Sequence, residues 1–517
     1  MTPSALAHFF PAAQTMPPPL RSSRQDAGIA LALFAAALAV RFAAVHHWAF
    51  DGLYGQDAFA YFDRAMDLAQ TGPAALFAPT AFLWPWGYPA SAALLIAAGS
   101  GWAGGAQALN LLAGALFPVL IYLIARSLFS NEGRFAGMAA AAPALIAAQP
   151  VLYATLVMTD MTALFWSATA VWCAVRIAGS EHPVRWLFGC GTAAGLAVST
   201  RWASGLVVVV PALYALYLWR KRRLPLGWLG AAMLPAMLLV APQIWNSLHQ
   251  SGGLLQGSFS GWSLLNGFRR TFVNDQGVFE STLHYRFPNA LFYLLCAFHP
   301  SYLLPPLTLC ALPGLYAAWR SRRATFWLLT GMALLAYVFL SGMPYQNFRF
   351  GLALYLPLLL LSGFGLEVLR RRFGRRAAYG LLLASLAVMA YGSHRTLDRF
   401  YTTQTAIKGC ARELAAEVPA GAPLFSFWLT ATLKHYTPHE PVEFFATTMS
   451  DVQQAVREAG AAYLVADPEN LRTQWGNHTM QQTLEALQSS GAVMPLRTCT
   501  NFTLFKIENP KSKASFF

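Results

Sequence analysis

At 517 residues, 56% hydrophobic and only 11% charged, with a mean hydropathy of +0.43, the chain is too apolar for a soluble enzyme. A formal net charge of +14 would suit a nucleic-acid partner, but the arginines fall in short clusters between apolar runs, which reads as a topology signal and argues against nucleic acid. The composition is that of a polytopic membrane protein.

In chain order, residues 1–24 hold several prolines and no basic segment leading into a short apolar core, and read as a disordered cytoplasmic extension. From Ala27 onward, apolar segments approach the ~20 residues a helix needs to cross a bilayer. Placing Arg21 and Arg24, Arg126 and Arg134, Arg176 and Arg185, Arg220 to Arg223, Arg320 to Arg323 and Arg370 to Arg376 inside makes every second connection basic. Eleven crossings follow, over 27–46, 105–126, 135–152, 160–178, 185–200, 202–219, 225–246, 301–319, 324–341, 350–369 and 377–393, with the amino terminus inside and the carboxyl terminus outside. Pro89 to Ala98 is too short to span and is expected to lie as an interfacial helix on the outer leaflet. The membrane domain thus covers 25–393, with large outer loops at 47–104 and 247–300.

Residues 394–517 lose this hydrophobicity and form a soluble outer domain. Pro423–Trp428 and Ala461–Ala466 read as buried strands, Ile407–Glu417, Asp451–Ala459 and Met480–Gln488 as helices, and Pro495–Ile507 as a closing strand or hairpin. The expected fold is an all-α membrane domain followed by a small α/β domain. Cys410 and Cys499 are the only two cysteines in this outer domain; a disulfide between them and a pair of free thiols are both open.

Two carboxylates stand out, Asp57 in GQDAFAYFDRA and Asp160 in YATLVMTDMTALFW. A carboxylate at a membrane boundary is costly unless solvated, paired or used. The topology puts both on the outer face, where one acid can take a proton from an attacking hydroxyl while the other orients an acceptor or holds a cation. A plainer account has Asp57 on a solvated loop and Asp160 capping a helix. Arg201 in GLAVSTRWASGL, Arg269 and Arg270 in NGFRRT, and Arg349 in PYQNFRFGLALYLP also come out on the outer side, against the positive-inside pattern. Their planar forks suit a phosphorylated lipid, and snorkelling to ordinary membrane lipids is the alternative. Asn246, His249, Trp262, Asn266, His284 and Tyr285 suit a sugar or an aromatic interface belt. A divalent metal ion, with His249, His284, His299 and an Asp as its available ligands, stays open because no short-range ligand spacing occurs. There is no Walker A sequence, GxSxG elbow or Cys-x-x-Cys pair.

These motifs, in this order, resemble the GT-C class of integral membrane glycosyltransferases, in the branch of protein O-mannosyltransferases and aminoarabinose transferases. The resemblance spans most of the chain. It runs through Asp57, Tyr61 and Ala65 to the aromatic-proline element FLWPWGYP, then MTDMT around Asp160, GLAVSTRW, NSLHQSGGLLQGSFSGWSLLNG and RFGLALYLPLLLL. It implies Asp57 as catalytic base, Asp160 as a second active-site acid, and Arg201, with Arg349, Arg269 and Arg270, at the donor phosphate. Tyr61, Trp84, Trp86, Tyr88, Asn266 and Tyr345 are the implied substrate contacts. The chain departs from the family in having Gln56 beside Asp57 where relatives carry adjacent acids, and Trp84-Pro85-Trp86 where they carry Pro-Pro or His-Pro-Pro. The implied reaction moves a sugar from a polyprenyl-phosphate donor to a lipid, glycan or protein acceptor with inversion, in the inner membrane of a bacterium. A flippase for lipid-linked saccharides is the rival reading, disfavoured by the absence of clear repetition between halves.

Overall fold

The computed structural model describes residues 23–508, apart from 79–81, 83, 101–102, 130–132, 222–223, 250–260, 277–278 and 476–477. The expected extension up to residue 22 and most of the Gly- and Ser-rich stretch after His249 lie outside the described residues. The chain divides into two compact units. One comprises the chain up to Gly52, Ala60–Phe268 and Asn289–Asp398; the other comprises Leu53–Phe59, Arg269–Pro288 and the chain from Arg399.

The first unit is helical. Its elements are α1 (Arg24–Trp48), most of α2 (Asp57–Thr71), α3 (Gly87–Leu95), α4 (Ala103–Phe129), α5 (Gly133–Ile146), α6 (Ala148–Thr155), α7 (Thr159–Gly179), α8 (Pro183–Thr200), α9 (Ser204–Lys221), α10 (Gly227–His249), α11 (Asn289–Cys296), α12 (Pro305–Leu309), α13 (Ala311–Ser321), α14 (Arg323–Ser341), α15 (Leu352–Phe373) and the first part of α16 (Arg375–Ala415). Among the described residues seven helices, α1, α4, α7, α10, α14, α15 and α16, are long and apolar enough to cross a membrane, and the bent pair α5–α6 makes an eighth if counted as one span. The chain is a multi-pass membrane protein. The remaining expected crossings fall on α8, α9 and the α12–α13 pair, which joins through Cys310 in a helical conformation.

The expected crossing 135–152 bends by 58° between α5 and α6. Arg41 of α1, fully buried, donates through Nη2 to the Ala144 carbonyl at 3.0 Å, satisfying an acceptor at the end of α5 that the break has freed. Gln149 at the start of α6 donates its backbone N–H to Ser301 O at 3.0 Å. Helix α8 lies close against α10, where a Cβ on Gly195 would sit 2.7 Å from the Ala236 Cα, so the two backbones approach as only glycine permits. The stretch expected as an interfacial helix folds in part as the short helix α3, with Tyr88, Ala92 and Ala93 buried where it packs on α4 and α8.

The second unit carries a two-stranded hairpin, β1 (Thr271–Gln276) with β2 (Phe279–His284), and a five-stranded sheet. The sheet strands are β3 (Leu424–Ser426), β4 (Val442–Glu443), β5 (Ala461–Ala466), β6 (Val493–Cys499) and β7 (Phe502–Glu508), ordered β4-β3-β5-β7-β6. Strands β3, β4 and β5 run parallel, and β7 and β6 close the sheet antiparallel. Alternate residues of β5 serve two cores: Ala462, Leu464 and Ala466 pack with Phe425, Val452, Leu484 and Ile507, while Tyr463 and Val465 pack with Leu414, Leu433 and Leu504. A sheet covered on both faces needs this uninterrupted burial. The expected strands and helices fall here, with α17 (Thr430–Tyr436), α18 (Met449–Ala459), α19 (Pro468–Gln474) and α20 (Thr479–Ser489) between them. The stretch Ile407–Glu417 differs: its helix is the end of α16, which runs unbroken from Arg375 to Ala415.

Candidate active site

Helices α7 and α8 form an antiparallel pair joined by three residues, so the start of one lies beside the end of the other. Asp160 occupies the first turn of α7, where the orphan N–H groups of the helix favour a carboxylate, and Met158 at the cap position supplies no side-chain oxygen. Arg201 is the residue that ends α8, its N–H donating to Ala197 O at 2.9 Å in an extended conformation that turns the side chain off the helix. The pairing follows: Arg201 Nη1 donates to Asp160 Oδ1. The Asp160 side chain is 3% exposed and that of Arg201 is 22% exposed, so the acid is enclosed while the guanidinium keeps an open edge. Oδ2 of Asp160 is buried with no hydrogen-bond partner.

Phe350 completes this cluster. The Arg201 guanidinium carbon lies 4.8 Å from the centre of its ring and that of Arg349 lies 5.3 Å from the same ring, so one aromatic ring gathers two cations. Asn347 holds the turn, accepting the Arg349 backbone N–H at 3.1 Å and donating its own N–H to the Tyr293 hydroxyl at 3.2 Å. Tyr345 lies 5.8 Å from Phe350, centre to centre.

The aromatic-proline element stands next to this site along α8. A Cβ on Gly87 would meet the Ser199 backbone at 2.6 Å, two residues before Arg201. Trp86 N–H donates to Gln243 Oε1 of α10 at 3.1 Å, and its indole nitrogen is buried without a partner. Tyr61 packs on Trp84 and Tyr88 at 6.0 and 5.8 Å between ring centres. Trp84 keeps 37% of its surface exposed, whereas Tyr88 is fully buried and donates its hydroxyl to Ala106 O at 2.9 Å. Tyr88 therefore holds α3 to α4 and offers a substrate nothing.

Other expected residues have different work. Asn266 is buried and directs Nδ2 to the carbonyls of Gly261 and Gly342 at 2.7 and 2.9 Å, so its amide donors serve the backbone. Arg269 and Arg270 are exposed at the edge of β1 in the second unit. Asp57 opens α2 and is half-buried; residues 53–59 belong with the second unit. Cys410 and Cys499 are brought together as free thiols, Cys410 Sγ donating to the Cys499 carbonyl at 2.9 Å. His249 faces Trp245 O at 2.8 Å, His284 faces Thr271 Oγ1 at 3.0 Å, and His299 accepts from Ser301 N at 3.2 Å. Among the described residues no group of three or more His, Cys, Asp or Glu converges as a metal cage. A cation at Asp160 would find one available oxygen and a neighbouring guanidinium that repels it, so these residues do not fit a divalent ion.

Sequence reasoning missed Phe350, although it lies inside the quoted FRFG motif. It also missed Asn110, a buried amide in α4 that bonds on both sides of Asp160. Its signal was a polar side chain within a membrane helix, which is rarely placed there without a partner.

Residues 85–245 match the dolichyl-phosphate-mannose-protein mannosyltransferase family. No curated protein sequence matches the chain. Among solved structures, the chain is similar to ArnT from Cupriavidus metallidurans bound to undecaprenyl phosphate, at 16% identity and a TM-score of 0.60 over 94% of this chain and 99% of that one. The apo form of the same protein gives 17% identity and a TM-score of 0.59, covering 94% and 100%. The archaeal oligosaccharyltransferase from Archaeoglobus fulgidus, in its apo form, gives 12% identity and a TM-score of 0.53, covering 87% of this chain and 71% of that one. The chain thus has the GT-C fold over nearly its whole length, and the resemblance in motif order coincides with resemblance in architecture.

Proposed function

We propose that this chain, built on the fold of the GT-C glycosyltransferases, transfers a sugar from a polyprenyl-phosphate carrier to an acceptor hydroxyl on the outer face of a bacterial inner membrane. One observation carries the reading: two arginines share the Phe350 ring at the ends of membrane helices, and one of them is held by a buried carboxylate. A guanidinium fixed in this way retains donors for an anion while its orientation is already set. The phosphate of a lipid carrier is an anion that such donors can bind.

In the proposed reaction the acceptor oxygen attacks the anomeric carbon as the bond from that carbon to the phosphate oxygen breaks. The polyprenyl phosphate leaves as a monoester, and the configuration at the anomeric carbon inverts. Asp57 takes the acceptor proton. Arg201 and Arg349 stabilise the charge that grows on the departing phosphate, a contribution that often dominates such reactions. Asp160 holds Arg201, and Trp84 offers its indole face to a sugar. No step is routed through a metal ion. The acceptor is a lipid, a glycan or a protein, and the membrane supplies the donor.

The test is single-compartment turnover in detergent with an undecaprenyl-phosphate sugar as donor. Asp57→Asn should lower turnover by about 100-fold or more while leaving donor binding intact; near wild-type turnover would remove Asp57 as the base. Transport without glycoside product in reconstituted vesicles would favour the flippase reading instead.

A further inference from the structure

Asn110 lies fully buried in α4, three residues after Gln107, so that both amides face the chain between α6 and α7. This link, residues 156–158, is extended: Leu156 has φ −93° and ψ 150°, Met158 has φ −142° and ψ 159°. Leu156 O lies past the end of one helix and Met158 O at the cap of the next, and burial makes a backbone carbonyl costly if unpaired. Asn110 Nδ2 donates to Leu156 O at 2.6 Å and to Met158 O at 2.7 Å. Its Oδ1 accepts the Thr162 hydroxyl at 2.6 Å. Asn110 is therefore bonded two residues before Asp160 and two residues after it. Gln107 secures the same link one step earlier, donating to Thr155 O at 2.8 Å and Phe50 O at 3.0 Å. The third neighbour of Nδ2 is the Tyr88 hydroxyl at 3.4 Å, which ties this network to α3.

A plain stabilising amide would need only to satisfy carbonyls. This one also grips the first turn of α7 through Thr162, and the residue enclosed by its bonds is the acid that holds Arg201. We infer that Asn110 is a positioning residue for the Asp160–Arg201 pair, setting the direction of the Arg201 guanidinium toward the lipid phosphate. The inference rests on the proposed function, because it takes polyprenyl phosphate as the ligand of Arg201. Asn is suited to the task where its neighbours in size are not. Asp in the ionised form would turn an oxygen toward two carbonyls, and Leu would leave three polar groups unpaired.

The experiment measures undecaprenyl-phosphate binding to the full chain in detergent for wild type, Asn110→Ala, Thr162→Val, Arg201→Ala and the double variant Asn110→Ala with Arg201→Ala. Ser167→Ala is the control, since that hydroxyl bonds the Ala163 carbonyl at 2.8 Å further along the same helix and touches nothing at the site. Asn110→Ala should weaken binding about tenfold and Thr162→Val about threefold, with Ser167→Ala unchanged. In the Arg201→Ala background, Asn110→Ala should cost nothing further, because a residue acting through Arg201 has no effect once Arg201 is gone. Additive losses would overturn the inference and leave Asn110 a general stabiliser. Wild-type binding by Thr162→Val would also overturn it, and this arm decides if Asn110→Ala does not fold. Wild-type binding by Arg201→Ala overturns the lipid-phosphate reading itself, and the inference with it.

Discussion

Arg201 donates to one carboxylate oxygen of Asp160, and the other oxygen of that carboxylate is buried with no hydrogen-bond partner. The pair is thus asymmetric: the acid is enclosed, and the guanidinium keeps an exposed edge. Asp160→Ala should destabilise the protein by about 2–4 kcal/mol, because it leaves a largely buried guanidinium uncompensated. Replacing both partners, Asp160→Leu with Arg201→Met, should recover most of that loss while donor binding stays weakened. Thermal unfolding in detergent, read beside lipid-phosphate binding, separates the two effects.

Phe350 faces two guanidinium groups, those of Arg201 and Arg349, across one ring. Phe350→Leu should keep the fold but weaken donor binding by about three- to tenfold, the range expected of a partly desolvated cation–π contact. Phe350→Trp should retain or improve it. An unchanged dissociation constant in Phe350→Leu would show that the ring packs without holding the arginines.

Gly87 has no room for a side chain, since its Cβ would meet the carbonyl carbon of Ser199 at 2.6 Å. Backbone cannot yield as a side chain can. Gly87→Ala should therefore cost about 1–3 kcal/mol and push the aromatic-proline element away from the end of α8. Transfer activity should fall more steeply than the melting midpoint, as Arg201 lies two residues from the point of contact.

Burial raises the carboxyl pKa of Glu443 at the edge of the sheet in the second unit, against opposing hydrogen bonds from Thr430 and the backbone of Phe445 and Phe444. A carboxyl group raised on folding contributes stability that is present below its unfolded pKa and is lost as pH rises through the folded value. Hydrogen exchange on β5 should accordingly quicken as pH rises through that interval, after correction for the intrinsic exchange rate. Glu443→Gln should flatten this dependence; an identical slope in the variant would assign it elsewhere.

Cys410 and Cys499 lie side by side as thiols, Cys499 Sγ also reaching Glu413 Oε2 at 3.5 Å. Mild oxidation of the full chain should join them, and mass analysis of alkylated peptides should show both protected together. Cys410→Ser should leave Cys499 open to alkylation under the same conditions.

Much of the architecture could be read from local chemistry. Strand β5 was legible at both ends because an apolar run of six residues between Gly460 and Asp467 has few other uses. The hairpin β1–β2 was not, since its strands carry polar residues such as Asn274, Asp275 and Ser281 and lack a continuous apolar face. The break between α5 and α6 was hidden for a different reason. Its alanines and prolines read as one span, and the bend is satisfied by Arg41, more than a hundred positions away. Asn266 looked like a sugar contact because exposed and buried amides are spelled the same way.

The sequence by itself determined that the chain is a multi-pass membrane protein with a small α/β domain, since hydropathy and strand patterning act within a few residues of the chain. It also determined the candidates Asp160, Arg201 and Arg349, because charges near apolar helices are too costly to be incidental. Only the tertiary structure decided that Arg201 belongs to Asp160 and shares Phe350 with Arg349, and that Asn110 encloses the acid from both sides. Those are contacts between residues 41 to 149 positions apart, and they depend on helix packing that no local pattern encodes.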